Sequence, residues 1–265
     1  MRGVFFVPKY KNAPVWASQN FLTSSFTIKR IINLSSICKT DHVVEIGAGK
    51  GHITDKLINR SGKVTAIEID RNLYSKLSEK FKGASGLSLV CSDFMSWNLP
   101  RTPYKVFANI PFNKTTDIIR KLTGSSNPPE EAWLVIEKGA AKRFMGRPRE
   151  TILSLNTKLF FDCEIKYYFR REDFHPAPSV DAVLFHLKKK AIPDIFPRDR
   201  NSFNRFVLSC LSRPVGIFTV LTKKQISTAF KMAGLPVDIP RSGEMQYIQW
   251  LCLFRCYMKY GKRTK

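Results

Sequence analysis

The chain has 265 residues, 43% of them hydrophobic and 25% charged, which is the make-up of a globular protein of one large domain or of one domain with a small appendage. Its 44 basic and 21 acidic residues leave a net charge of +23, so the expected partner is a polyanion, with nucleic acid the first candidate. No apolar run approaches the length of a membrane span, Val4–Val7 is too short for a signal-peptide core, and the six cysteines and four histidines form no C-x-x-C pair and no zinc spacing. Cys252 and Cys256, one helical turn apart, read as a core-facing pair in preference to a metal half-site, and the expectation is a cytoplasmic, reduced, metal-free protein without membrane attachment.

In chain order, residues 1–30 carry five basic residues and no acidic one. From about residue 25 to residue 188, short apolar runs alternate with amphipathic stretches. Strands are expected at His42–Ile46, Lys63–Ile69, Leu87–Cys91, Tyr104–Asn109, Ala132–Glu137, Glu164–Phe169 and Val180–Leu187. Helices are expected between the early ones, at Ile53–Asn59 and Leu73–Phe81. Such alternation predicts a mostly parallel sheet covered on both faces. The last two strands leave no room for a helix between them and are predicted to close the sheet as an antiparallel hairpin. After Lys188-Lys189-Lys190 the texture changes. Ala191–Arg200 reads as a linker, and Phe203–Leu211, Lys223–Ala233 and Gly243–Lys259 have helical spacing, with Thr222 and Gln225 placed as a capping box. The expected division is 1–190, an α/β domain with a basic N-terminal arm, and 191–265, a small all-α domain. Residues 188–265 hold 16 basic and four acidic residues, a net of +12.

The chemistry gathers at strand ends. Val43–Gly51 is a strand running into Gly47-Ala48-Gly49-Lys50-Gly51, a turn that lets backbone approach a ligand at the switch point of a doubly wound sheet. His52 stands where a dinucleotide fingerprint needs glycine, and Lys50 is followed by Gly51, not Ser or Thr, so pyrophosphate and triphosphate ligands are disfavoured. Glu68, at the end of the second strand, can accept both hydroxyls of a ribose. Asp93, after the third, can take an adenine amino group, with Phe94 against the ring. A glycine loop, a ribose acid and an adenine acid together suit S-adenosylmethionine. Asn109-Ile110-Pro111-Phe112 ends the fourth strand: an amide, carbonyls freed by the proline turn and an aromatic ring form a seat for an extruded base. The Asn109 side-chain oxygen and the Ile110 carbonyl can accept the two hydrogens of an amino group while Phe112 stacks on the ring. Phe174, between the hairpin strands, could close the other face. His175 lacks an acid–base partner and is disfavoured as a base.

Four segments carry a resemblance: Gln19-Asn20-Phe21-Leu22, Glu45–Gly51, Asn109–Phe112 and Phe174-His175-Pro176-Ala177-Pro178-Ser179-Val180. In this order and spacing the chain resembles the rRNA adenine N6-methyltransferases over roughly residues 15–190. Leu221–Gln225 and the compact basic C-terminal region look more like the Erm macrolide-resistance enzymes than like the small-subunit rRNA dimethyltransferases. The resemblance implies a class I (Rossmann-like) S-adenosylmethionine-dependent methyltransferase fold: a mostly parallel seven-stranded sheet with a terminal antiparallel hairpin, plus a small all-α C-terminal domain. It implies a cofactor site of Gln19, Asn20, Leu22, Gly47, Gly49, Glu68, Ile69, Asp93, Phe94 and Asn109. It implies a catalytic set of Asn109, Ile110, Phe112 and Phe174. The implied substrate is an adenosine of large-subunit (23S) rRNA, met before ribosome assembly is complete, whose methylation blocks macrolide, lincosamide and streptogramin B antibiotics. Phe112 departs from the usual Tyr and Ser179 from a frequent Lys. RNA contacts are expected from Lys9 and Lys11, from Lys138, Lys142, Arg143, Arg147 and Arg149, and from the C-terminal domain. The chain is expected to act as a monomer. Two other readings are weighed: a DNA adenine methyltransferase, for which the chain is short of a recognition domain, and a non-catalytic nucleic-acid-binding relative, which the intact cofactor motif argues against.

Overall fold

The computed structural model describes residues 20–211, 216–238 and 241–261. Lys9, Lys11 and Gln19 lie outside the described residues. A seven-stranded sheet forms the body. Its strands, in chain order after a short β1 (Phe21–Leu22), are β2 (His42–Ile46), β3 (Lys63–Glu68), β4 (Leu87–Cys91), β5 (Lys105–Asn109), β6 (Glu131–Glu137), β7 (Phe161–Tyr168) and, past a short β8 (Phe174–His175), β9 (Ala182–Lys189). The spatial order is β4-β3-β2-β5-β6-β9-β7. Every pair from β4 to β6 is parallel, whereas β9 runs antiparallel between β6 and β7. The order reverses between β2 and β5, so the loops after those strands diverge and open a crevice at their carboxyl ends.

The five inner strands are near-continuously buried because both faces are covered. Val43, Val64, Ala66, Phe107, Trp133 and Val135 point to one core, which they share with α1 (Ser25–Leu34), α2 (His52–Arg60) and α3 (Arg71–Lys80). Val44, Ile46, Ile67, Val106, Ala108, Leu134 and Phe185 point to the other, beneath α4 (Thr115–Gly124), α5 (Lys138–Phe144) and α6 (Ile152–Lys158). The expected strands stand within three residues at each end. Two short elements carry no periodic signal: β1 and β8, each two residues long, pair with each other.

The second core does not stop at the sheet. It runs on through Phe160, Phe203, Phe206, Trp250 and Phe254 into α7 (Arg200–Leu211), α8 (Ile217–Val220), α9 (Lys223–Met232) and α10 (Tyr247–Tyr260). The segment with a linker's composition is docked: Asp194 N donates to Leu159 O at 3.0 Å, and Tyr247 Oη donates to Asp194 Oδ2 at 2.5 Å. Arg200 donates to Thr123 O at 3.0 Å and lies 4.2 Å over the Phe160 ring. Thr222 and Gln225 form the expected capping box on α9. The helix expected from Gly243 starts at Tyr247 instead, because Met245 turns inward to 1% exposure and the extended Gln246 becomes the cap.

Candidate active site

Long-range bonds bring the N-terminal segment to the crevice. Ser24 caps α1 by accepting from Thr27 N at 3.2 Å. The Thr27 hydroxyl donates to Asp173 Oδ1 at 2.6 Å, and the amides of Thr23 and Ser24 donate to Asp173 O at 2.9 and 3.3 Å. β1 is thereby held antiparallel to β8, with Leu22 opposite Phe174 and Phe21 opposite His175. Asn20 then lies beside the end of β5. Asn109 Nδ2 donates to Asn20 O at 2.8 Å, which commits the amide nitrogen and leaves Oδ1 as the acceptor.

The glycine loop packs next to it. Gly47 N and Ala48 N donate to Ile67 O at 2.9 and 3.1 Å, and Gly49 N donates to Glu68 Oε2 at 2.7 Å. Asp70 N takes the other oxygen, Glu68 Oε1, at 2.9 Å, so this 2%-exposed carboxylate is fixed by two backbone amides. Gly49 has φ +58°, and a Cβ there would sit 3.0 Å from the Phe21 ring. Only glycine fits beneath that ring. Asn20, Gly47, Gly49 and Glu68 line a cavity together with Asn109, Ile110 and Phe112. Phe112 is half-buried and opens a single 3-10 turn, Phe112–Lys114. A buried acid, a glycine cradle that any side chain would fill, and an amide oxygen suit a nucleoside-bearing cofactor such as S-adenosylmethionine.

Other expected residues sit elsewhere. Leu22 and Phe174 are buried at 3% and 4% in the core beneath the cavity, and Phe174 meets Phe169 edge-on with centroids 5.3 Å apart. Phe94 is also a core residue, at 5%, whereas Ile69 is 48% exposed just past β3. Asp93 is exposed one strand further along, and its Oδ1 accepts from Met95 N at 2.8 Å in an Asx turn. Two further cavity residues lie inside the motifs: Pro111, expected only to form the turn, and Phe21, for which the sequence suggests no role. Of the basic residues around α5, Lys138 is ion-paired to Asp181 at 3.0 Å, while Lys142, Arg143, Arg147 and Arg149 are exposed. No helix among the described residues is long and apolar enough to cross a membrane, and no group of three or more His, Cys, Asp or Glu among them is placed to hold a metal.

Glu45, two residues before the glycine loop, is 1% exposed, and its Oε2 has no hydrogen-bond partner among the described residues. Burial pushes its carboxyl up to about 8, and the Glu68 charge adds to the rise. The folded chain therefore keeps this proton until about pH 8, whereas the unfolded chain loses it near the ordinary value of 4.5. Between those values the unfolded state binds fewer protons, so this group lowers stability as pH rises, and the loss is complete above about 8. Glu45→Gln, which mimics the protonated form, should gain stability relative to the parent between pH 6 and pH 9. Urea midpoints at the two pH values check this; a constant difference would contradict it.

The family model described as ribosomal RNA adenine dimethylase matches residues 14–238. An rRNA adenine N-6-methyltransferase of Lysinibacillus sphaericus is 35% identical over 241 residues, covering 91% of this chain and 95% of that protein. One of Escherichia coli is 32% identical over 255 residues, covering 95% and 99%. Among solved structures, the 23S rRNA methyltransferase ErmE superposes with a TM-score of 0.80 at 26% identity, covering 90% of this chain and 100% of that one. A dimethyladenosine transferase from Plasmodium falciparum shares the fold, with a TM-score of 0.70 at 23% identity and coverage of 88% and 95%.

Proposed function

Since this chain belongs to the ribosomal RNA adenine dimethylase family and is an S-adenosylmethionine-dependent methyltransferase, we propose that it methylates N6 of an adenosine in large-subunit rRNA and so confers macrolide, lincosamide and streptogramin B resistance. The observation that carries this reading is the Asn109 amide: its nitrogen is held by Asn20 O, so its oxygen is the acceptor in the cavity that Phe112 and the glycine loop also line. The similarity to a 23S rRNA methyltransferase over nearly the whole chain supports the choice of RNA.

Adenine N6 is a weak nucleophile because its lone pair is delocalised into the ring. Asn109 Oδ1 and the Ile110 carbonyl accept its two hydrogens and draw the lone pair out of the ring plane. Phe112 stacks on the extruded base, a contact worth about 1–3 kcal/mol. Phe174 acts from below, pinning β8 to β1 so that Asn20 stays against Asn109. Asn20, Gly47, Gly49 and Glu68 would hold the cofactor, Asp93 would take its adenine end, and Ile69 would pack beside it. The cofactor supplies an already activated methyl group, so no strong base is required; N6 gives up its proton to water after attack. Positioning carries the catalysis.

In this reading residues 1–190 do the chemistry and residues 191–265 help to grip RNA. Replacing Lys142, Arg143, Arg147 and Arg149 together by Ser should weaken RNA binding, leave cofactor affinity unchanged, and flatten the plot of log affinity against log salt by about 3. An unchanged slope would exclude these four from the interface. The decisive assay for the reading is methyl transfer from labelled S-adenosylmethionine to protein-free ribosomal RNAs, followed by mapping of the labelled base. Label in 23S rRNA is expected. Label confined to small-subunit RNA would make the chain a small-subunit dimethyltransferase.

A further inference from the structure

The strand-end loop that carries Asp93 is tied down by a residue that neither the cavity nor the RNA reading uses. Lys121, in the last turn of α4, donates from Nζ to Phe94 O at 2.6 Å, to Met95 O at 2.9 Å and to Trp97 O at 2.6 Å. An ammonium has three hydrogens, and these three carbonyls take all of them. The same nitrogen lies 4.8 Å over the Phe94 ring. Lys121 is therefore not a spare cation waiting for a phosphate.

Three carbonyl oxygens aimed at one point repel one another. Without a cation between them that repulsion works against the loop's shape, and its carbonyls would turn to water. The loop closes on itself through Ser96 N and Trp97 N, which both donate to Asp93 O at 3.0 Å, and through Met95 N, which donates to Asp93 Oδ1. Its geometry therefore sets the direction of the Asp93 carboxylate. Burial lowers the Lys121 ammonium from its usual range, while the nearby Asp93 charge opposes that fall.

We infer that Lys121 is a positioning residue for the adenine end of the cofactor site, holding the carbonyls of Phe94, Met95 and Trp97 and through them Asp93; this rests on the cofactor reading proposed above. It acts on binding and not on the transferring methyl. Lys121→Met keeps the stem and removes the ammonium. In the full chain its dissociation constant for S-adenosylmethionine should rise about tenfold, since hydrogen bonds from a charged donor are among the stronger kind. The constant for 5′-methylthioadenosine, which has the adenosine but no amino-acid part, should rise by the same factor. kcat at saturating cofactor and RNA should stay within about twofold of the parent. Lys121→Gln, neutral but still a donor, should move both constants the same way by less. Arg120→Met, an exposed neighbour on the same helix, should move neither.

Titration calorimetry with the two ligands and steady-state kinetics give these readouts. Parent-like affinity for 5′-methylthioadenosine in both Lys121 variants would overturn the inference and leave the cofactor reading intact, as would a loss confined to kcat. A parent chain that binds neither ligand would overturn both.

Discussion

Asn109→Ala should lower kcat for methyl transfer by about 10²–10³-fold or more, the scale seen when one preorganised polar contact to a reacting centre is removed, while RNA affinity stays within about twofold. The change deletes one of the two acceptors for the N6 hydrogens, and the Glu68 carboxylate does not replace it, being fixed by Gly49 N and Asp70 N at the cofactor end of the proposed site. It also deletes the bond from Asn109 Nδ2 to Asn20 O, so some loss of cofactor affinity accompanies the loss of rate. In the proposed reading phosphate contacts lie elsewhere, on the exposed basic residues after β6. Single-turnover methylation together with anisotropy titration of fluorescent RNA separates the two quantities. If RNA binding fell in parallel with the rate, Asn109 would be a structural residue of the RNA surface and the mechanism above would fail.

Glu68→Gln should weaken binding of S-adenosylmethionine by about 10–100-fold, although the substitution changes neither shape nor size. The parent carboxylate faces two backbone donors, one on each oxygen. A glutamine amide has one acceptor and one donor group, so it satisfies one of those amides and points N–H at the other. A buried amide left without its partner costs about 1–3 kcal/mol. That strain falls on Gly49, whose backbone shape forms the cradle, and the ribose loses a charged acceptor as well. Calorimetric titration with S-adenosylhomocysteine measures the affinity, and thermal melting without ligand measures the strain. Full affinity in the variant would remove Glu68 from the site.

How far the sequence spoke can be judged residue by residue. The glycine loop, Glu68 and Asn109 were legible because each ends an apolar strand in a chain that alternates strand and helix, and the switch-point rule then places those ends together. The aromatics were less so. Phe94 and Phe174 follow or precede strand ends as Phe112 does, and spacing alone puts all three at a pocket. In the fold, Phe112 lines the cavity and the other two turn into the two cores. Which way such a ring points depends on partners far away in the chain. The bond from Thr27 to Asp173 spans 146 positions; it decides where β1 and β8 meet, and no local pattern announces it. Lys121 was invisible for the same reason, since its three acceptors are backbone oxygens, which every residue has. Lys138 counted as one more basic residue until Asp181 came within 3.0 Å of it.

The apolar core that runs unbroken from the sheet into α7–α10 makes the two parts of the chain a calliper with a locked jaw. Hinged parts could let the bundle settle on whatever backbone lay near and still bring the pocket to a base. Here the span from the bundle's basic surface to the Asn109 seat is set when the chain folds. In the proposed reading an RNA must then offer phosphates and an extrudable adenosine at that one separation, so the shape of its backbone selects it together with the base.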